Sequence, residues 1–272
     1  MNKAGGRVVL GFALLLSPAA ARAEVDVTTS MKLIQLQILA PGGYTLSFPG
    51  GVVATASASA QDSLGGNDAN FDFVSNGSTS VSAVTALANA MADADSSSLP
   101  MLTASAQSGV HIPDGTIASA SSSANGNPFG SLNGSFEIDG AAGTISVMLE
   151  AMLQYSQSLK TVDGGQFATS DVNFSLLLPD IDSSSPLLFF DNLLIIGPNS
   201  MAAQSGTPTL MDTVMLQANT PYSFIANVDA ESSGLNVPEP SSPVLFLTVF
   251  VLVAILFTRR ERLRRRRARV LD

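Results

Sequence analysis

The 272 residues are 46% hydrophobic and only 13% charged, with no cysteine, no tryptophan and a single histidine. Without cysteine there is no disulfide, so the fold rests on its core and its hydrogen bonds even in an oxidising compartment. The formal net charge of −9 hides a partition: the interval 24–240 keeps two lysines, Lys32 and Lys160, against twenty carboxylates, about −18, while the other eleven basic residues lie outside it. So acidic a body excludes nucleic acid as a partner and disfavours binding to anionic lipid.

In chain order, Lys3 and Arg7 make a positive start, Val8 to Leu16 an apolar stretch, and Ser17-Pro18 a break before Ala21-Arg22-Ala23. This is the pattern of a secretory signal peptide over residues 1–23. Signal peptidase is the expected partner, with the small residues Ala21 and Ala23 before the cut and Glu24 as the first mature residue. Nine apolar residues are too few to span a bilayer.

From 24 to 230 the chain reads as one exported β domain, because short segments alternate apolar and polar residues between Gly, Pro, Asn, Asp and Ser clusters. Ile34, Leu36 and Ile38 alternate with Gln35 and Gln37, and Pro41-Gly42-Gly43 turns the chain. Tyr44, Leu46 and Phe48 follow, then Pro49-Gly50-Gly51. Ala54, Ala56, Ala58 and Ala60 alternate with hydroxyls, and the same rhythm returns at 86–94, 103–106 and 117–124. Small residues at a spacing of two suit strands packed closely on another layer. The piece from Val84 to Met91 also fits a helical face, but the apolar even positions from 84 to 94 favour a strand.

Further on, Phe136 and Ile138 alternate with Glu137 and Asp139, and 145–155 is long and apolar enough for a central strand. Leu187 to Ile196 is nearly all apolar. Met211 to Leu216 leads through Ala218-Asn219-Thr220-Pro221 to Tyr222, Phe224, Ala226 and Val228, which reads as a hairpin. Residues 231–236, beginning Glu-Ser-Ser-Gly, read as a linker. Many short strands at regular spacing predict an all-β fold, a jelly-roll-like β-sandwich.

Catalytic chemistry is sparse. His111, beside Ile112-Pro113-Asp114-Gly115, has neither a second His nor a Cys for a structural zinc site, and no Gly-x-Ser-x-Gly elbow accompanies it. It reads as a surface turn residue. Glu137, Asp139 and Glu150 could pair for glycoside hydrolysis, yet alternation with Phe136 and Ile138 explains the first two as a solvated face. Asp68, Asn70 and Asp72 alternate like calcium ligands but lack the glycine and final glutamate of an EF-hand loop, and Asp180 and Asp182 form another acidic pair. The sequence therefore assigns no catalytic residue, no metal ligand and no cofactor.

The chain's last part has three pieces: Val237-Pro238-Glu239-Pro240, an apolar run, and a cluster of arginines. The cluster comprises Arg259, Arg260, Arg262, Arg264, Arg265, Arg266, Arg267 and Arg269. The run predicts one transmembrane helix over 243–258; its apolar core, 244–257, reaches about 21 Å as helix, and flanking residues extend it. The arginines would hold 259–272 in the cytoplasm and place the Pro-Glu-Pro segment outside. Two prolines keep Glu239 extended and accessible.

This order and spacing over 237–267 resembles the PEP-CTERM sorting signal of exported bacterial proteins. The resemblance implies a Gram-negative source, and an exosortase that recognises Pro238-Glu239-Pro240 and removes the anchor. It also implies an inner-membrane precursor with a cytoplasmic C-terminus, and a mature form at the cell surface or outside, associated with exopolysaccharide or biofilm. Exported domains with this signal are commonly sandwiches. The expected function is that of a non-enzymatic surface or extracellular-matrix protein; the alternative is a secreted glycan-binding module or carboxylate-based glycoside hydrolase, with or without calcium.

Overall fold

Period-two alternation becomes strand after strand in the computed structural model, which describes residues 24–98, 101–113, 116–125, 132–162 and 164–237, with no helix among them. Several expectations lie outside the described residues. They are the signal segment with Ala21 and Ala23, the Pro238-Glu239-Pro240 motif and the expected span 243–258. The topology-setting Arg259, Arg260, Arg262, Arg264, Arg265, Arg266, Arg267 and Arg269 also fall outside them. Among the described residues no helix is long and apolar enough to cross a membrane.

Two antiparallel sheets stack face to face. The first runs β5 (Ser78–Val84), β6 (Ala88–Ser98), β7 (Met101–Ile112), β1 (Val25–Leu39), β10 (Thr144–Thr161). The far edge of β10 is shared by β13 (Met201–Gly206) along Tyr155–Lys160 and by β14 (Thr209–Gln217) along Thr144–Met152. The second runs β12 (Leu188–Ile196), β11 (Gln166–Leu177), β15 (Pro221–Asn236), then one lane shared by β8 (Ala118–Asn125) and β9 (Leu132–Asp139), then β3 (Val52–Asp62) and β4 (Asn67–Ser75). A short β2 (Thr45–Ser47) continues the sheet along the end of β9.

Alternation decides which side chains meet between the sheets. Along β10 every odd residue from Ile145 to Thr161 is buried and every even one from Thr144 to Ser158 is at least partly open to solvent. The alanine rhythm has a direct reading here. Ala54, Ala56, Ala58 and Ala60 of β3 and Ala88, Ala90, Ala92 and Ala94 of β6 all point inward and are nearly inaccessible. Methyl groups fill little volume, so close packing draws the sheets together on that side. Toward the other side Phe136, Phe174, Phe224, Leu149 and Leu153 fill a thicker layer.

Hydroxyls from the same stripes bridge the two sheets. Thr29 of β1 bonds Ser170 of β11 at 2.6 Å and Ser232 of β15 at 2.7 Å, and Ser108 of β7 bonds Ser232 at 2.9 Å. The Gln157 amide of β10 donates to the carbonyls of Ser170 and Asn192 at 3.0 and 2.9 Å. A buried hydroxyl is costly unless paired, and here each finds its partner in the facing sheet.

The alanine side is also closed at its edge. From β4, Asn70 donates to the Ser82 carbonyl at 2.6 Å and Asp68 accepts from the Val84 amide at 2.9 Å, while Thr79 donates to Asp72 at 2.7 Å. The Asp-x-Asn-x-Asp run thus clips β4 to β5, joining the rims of the two sheets. That occupies the side chains whose spacing is like that of calcium ligands.

Three sequence expectations are corrected. Met211–Leu216 and Tyr222–Val228 do not form a hairpin: β14 pairs with β10 in the first sheet and β15 with β11, β8 and β9 in the second. The turn between them crosses from sheet to sheet, and Asn219 (φ 59°) pins it by exchanging bonds of 3.0 and 3.1 Å with the backbone of Gly140. Residues 231–236 are not a linker but the last third of β15, paired with β11 and β8. The strand expected through 84–94 is broken by a turn at 85–87 between β5 and β6. Leu187–Ile196 forms an edge strand, with Phe189, Leu193 and Ile195 on its outer side more than half exposed.

Candidate functional site

All three described groups able to carry positive charge in the interval 24–237, Lys32, Lys160 and His111, stand on β1, β10 and β7 of the first sheet. The described part of the second sheet has no basic side chain. On its outer face four carboxylates from three neighbouring strands converge.

Strand register builds the cluster. Asp171 on β11 lies between Leu193 of β12 and Glu231 of β15, and Asn173, two residues on and facing the same way, lies between Asp191 and Asp229. Beyond β15, Ser123 faces Glu231 and donates to it at 3.5 Å. The row on the other side is neutral, where Thr169 and Ser233 share a 2.6 Å hydrogen bond. The apolar side chains of Phe189, Leu193 and Ile195 border the patch on β12.

Burial pushes the Asp229 carboxyl up to about 7, and the charges of Glu231 and Asp171 add to the effect. Burial likewise raises Asp171 to about 6, reinforced by Asp191 and Glu231. One oxygen of each, Oδ1, is shielded from solvent and accepts no hydrogen bond. Desolvation and like charge act in the same direction, both penalising the ionised form. Near neutral pH this patch can therefore hold and release protons, and its hard oxygens are of the type that bind Ca²⁺.

The carboxylates singled out in the sequence do not come together. Glu137 and Asp139 lie on β9 of the second sheet, whereas Glu150 lies on β10 of the first, opposite Gln37 and Met211 on the far face of the sandwich. Consecutive strands here belong to different sheets, which separates a pair that looked adjacent. Asp182 caps its own turn through the Ser184 amide and hydroxyl at 2.8 and 2.7 Å, and this holds its carboxyl below the usual range. Asp180 accepts from the Ser223 amide.

His111 is not in a turn. It is part of β7, directly opposite Asp26, to which its Nδ1 is bonded. Glu24, the expected first mature residue, is half-buried at the foot of β1, with the Lys160 ammonium 2.9 Å away. Val237 follows β15 directly, half exposed, its amide donating to the Gly165 carbonyl at 3.3 Å. Sequence reasoning missed the Asp171–Asp191–Asp229–Glu231 cluster because its members are far apart in the chain and share only the lateral register of three strands. No protein-family model matches the chain, and no curated protein or solved structure matches it either.

Proposed function

We propose that the chain is a non-enzymatic exported protein of the cell surface or extracellular matrix, a jelly-roll-like sandwich delivered by a removable C-terminal address. One observation carries the reading: the ordered Val237-Pro238-Glu239-Pro240, apolar run and arginine cluster, in a chain that also begins with a cleavable-type signal. Exosortase is the processing enzyme in this reading, the inner membrane a transient host, and exopolysaccharide the associated material. The fold is compatible with it. The final strand ends at Asn236, one residue before Val237 opens the motif, so cleavage after Pro240 would leave every described strand intact.

In an exosortase-positive host, the mature protein is expected to end near Pro240 by mass spectrometry of its C-terminus. Replacing Pro238 and Pro240 by Ala, or Glu239 by Gln, should leave a membrane-retained precursor carrying residues 241–272. Release of these variants at the normal rate and length would overturn the sorting proposal.

A second reading, a glycan-binding module or carboxylate-based hydrolase, draws on the Asp171–Asp191–Asp229–Glu231 patch, where groups raised to about 6 and 7 stand beside other carboxylates. Unequal carboxylates are what acid–base hydrolysis requires. This reading expects retention of the host's exopolysaccharide, or release of new reducing ends, with either lost in Asp229→Asn. Unchanged behaviour of that variant would leave only the matrix reading.

A further inference from the structure

We infer that the outer face of the first sheet carries a divalent transition-metal site formed by Glu24, Asp26 and His111, with Lys160 as its built-in competitor. The inference is independent of the sorting signal. It also concerns the face opposite the acidic patch.

The register places these groups in one row. Asp26 on β1 is flanked by His111 on β7 and by Lys160 on β10. Glu24 precedes Asp26 by two residues and therefore faces the same way. One donor atom from each of Glu24, Asp26 and His111 lies within 4.8 Å of the other two. Around a tetrahedral ion with bonds of about 2.1 Å, neighbouring donors stand about 3.4 Å apart. Side-chain movement of roughly 1 Å would close the set, which is small for partly exposed side chains.

The donor chemistry narrows the ion. One imidazole nitrogen with two carboxylate oxygens suits Zn²⁺ and neighbouring first-row divalent ions, whereas Ca²⁺ and Mg²⁺ prefer oxygen alone. Three protein donors leave a fourth position for water, the pattern of an accessible rather than a closed structural zinc site.

Lys160 tells how the site is balanced. Its ammonium lies 2.9 Å from Glu24 Oε2 and 3.8 Å from Asp26 Oδ2, so it already supplies positive charge where a cation would add it. Both ion pairs are a third or more exposed, and exposed pairs are weak and easily exchanged. A doubly charged ion can take the two carboxylates from a singly charged lysine whose stem is long enough to swing aside. The lone histidine of the chain and one of the two lysines in 24–240 meet at this single point, leaving Lys32 apart from it. Among the described residues, the facing titratable groups are thus Glu24 at the foot of β1, Asp26 on β1, His111 on β7 and Lys160 on β10. The neighbour on β13 is the uncharged Met201, opposite Lys160.

The test is calorimetric titration of the chelator-treated purified protein with Zn²⁺ at pH 7.5, alongside Co²⁺ absorption spectra that report nitrogen–oxygen coordination. One ion per chain is expected. His111→Ala and Asp26→Asn should each weaken binding by about tenfold or more. Lys160→Met, which keeps the stem and removes the charge, should tighten it several-fold. Asp171→Asn and Glu231→Gln, on the opposite face, should leave it unchanged. Unaltered thermal unfolding will separate loss of binding from loss of fold, and Asp26→Asn serves if His111→Ala unfolds. Absence of saturable Zn²⁺ binding in both the wild type and Lys160→Met overturns the site, as does binding insensitive to His111→Ala and Asp26→Asn.

Discussion

Asp229→Asn should make this protein more stable at pH 8 and leave it unchanged near pH 4. The sign follows from the raised carboxyl, at about 7 in the fold against about 3.9 in an unfolded chain. Between those values the native state binds more protons than the unfolded state, so stability rises as pH falls through the window. Below about 4 both states are protonated and the penalty is gone; above about 7 it is complete. A shift of roughly three units corresponds to at most on the order of 4 kcal/mol, so a gain of about 2–4 kcal/mol is expected for the neutral variant at pH 8. In a domain of this size that is a rise of roughly 5–10 °C in the unfolding midpoint.

Asp171 acts in the same direction with its carboxyl at about 6, and Asp191 and Glu231 supply the repulsion. The described part of this sheet has no lysine or arginine to offset them. Opposing carboxylates exist elsewhere: local hydrogen bonds lower Asp62, Asp95 and Asp182, and their contribution is lost only as pH falls below the usual carboxylate range. The wild type should therefore gain stability on acidification from pH 8 to about 4 and lose it again at more acid pH. Urea midpoints for both proteins at pH 8, 6 and 4 decide the matter. Parallel curves, with no convergence toward pH 4, would refute the account of the patch.

Phe224→Ala is expected to cost about 3–5 kcal/mol. Phe224 is 1% exposed, with its ring 6.4 Å from that of Phe136, which in turn stands 6.0 Å from Tyr222. It also packs over Gly134, where an added Cβ would meet the Gly51 carbonyl oxygen at 2.7 Å and the Phe224 ring at 3.2 Å. The Val52 side chain closes the same contact, 3.1 Å from that point. The matched comparison is Phe189→Ser on β12, where the ring is 54% exposed and the change should stay within about 0.5 kcal/mol. Chemical denaturation reads both. Equal losses from the two variants would mean that Phe224 is not the interior anchor of the thick side.

Much of the secondary structure is legible in the sequence because the signal is local. Ala54 to Ala60 alternate with hydroxyls, and β3 buries those alanines; Ile145 to Tyr155 read as a central strand, and β10 is flanked on both sides. Alternation marks the first strand only from Ile34, yet it starts at Val25 and carries an irregularity between Leu33 and Leu36 that shifts its pattern. A single bulge breaks the period on which such a reading depends. The candidate sites are hardly legible. Asp171 and Glu231 each look like an ordinary outward residue until β11 and β15 are set side by side.

The absence of disulfides, the acidity of the body and an all-β chain with alanine stripes all follow from the order of the residues alone. These are properties of composition and of near neighbours, so they need no knowledge of which strand lies beside which. The lateral order of the strands belongs to the folded molecule, because hydrogen bonds between strands are the same for any partner and register is chosen by how whole faces pack. That choice sends β14 and β15 to different sheets, turns the Asp68–Asp72 run into an edge clip, and keeps the described positive charge off the second sheet. It also brings four carboxylates together on one face, and Glu24, Asp26, His111 and Lys160 together on the other.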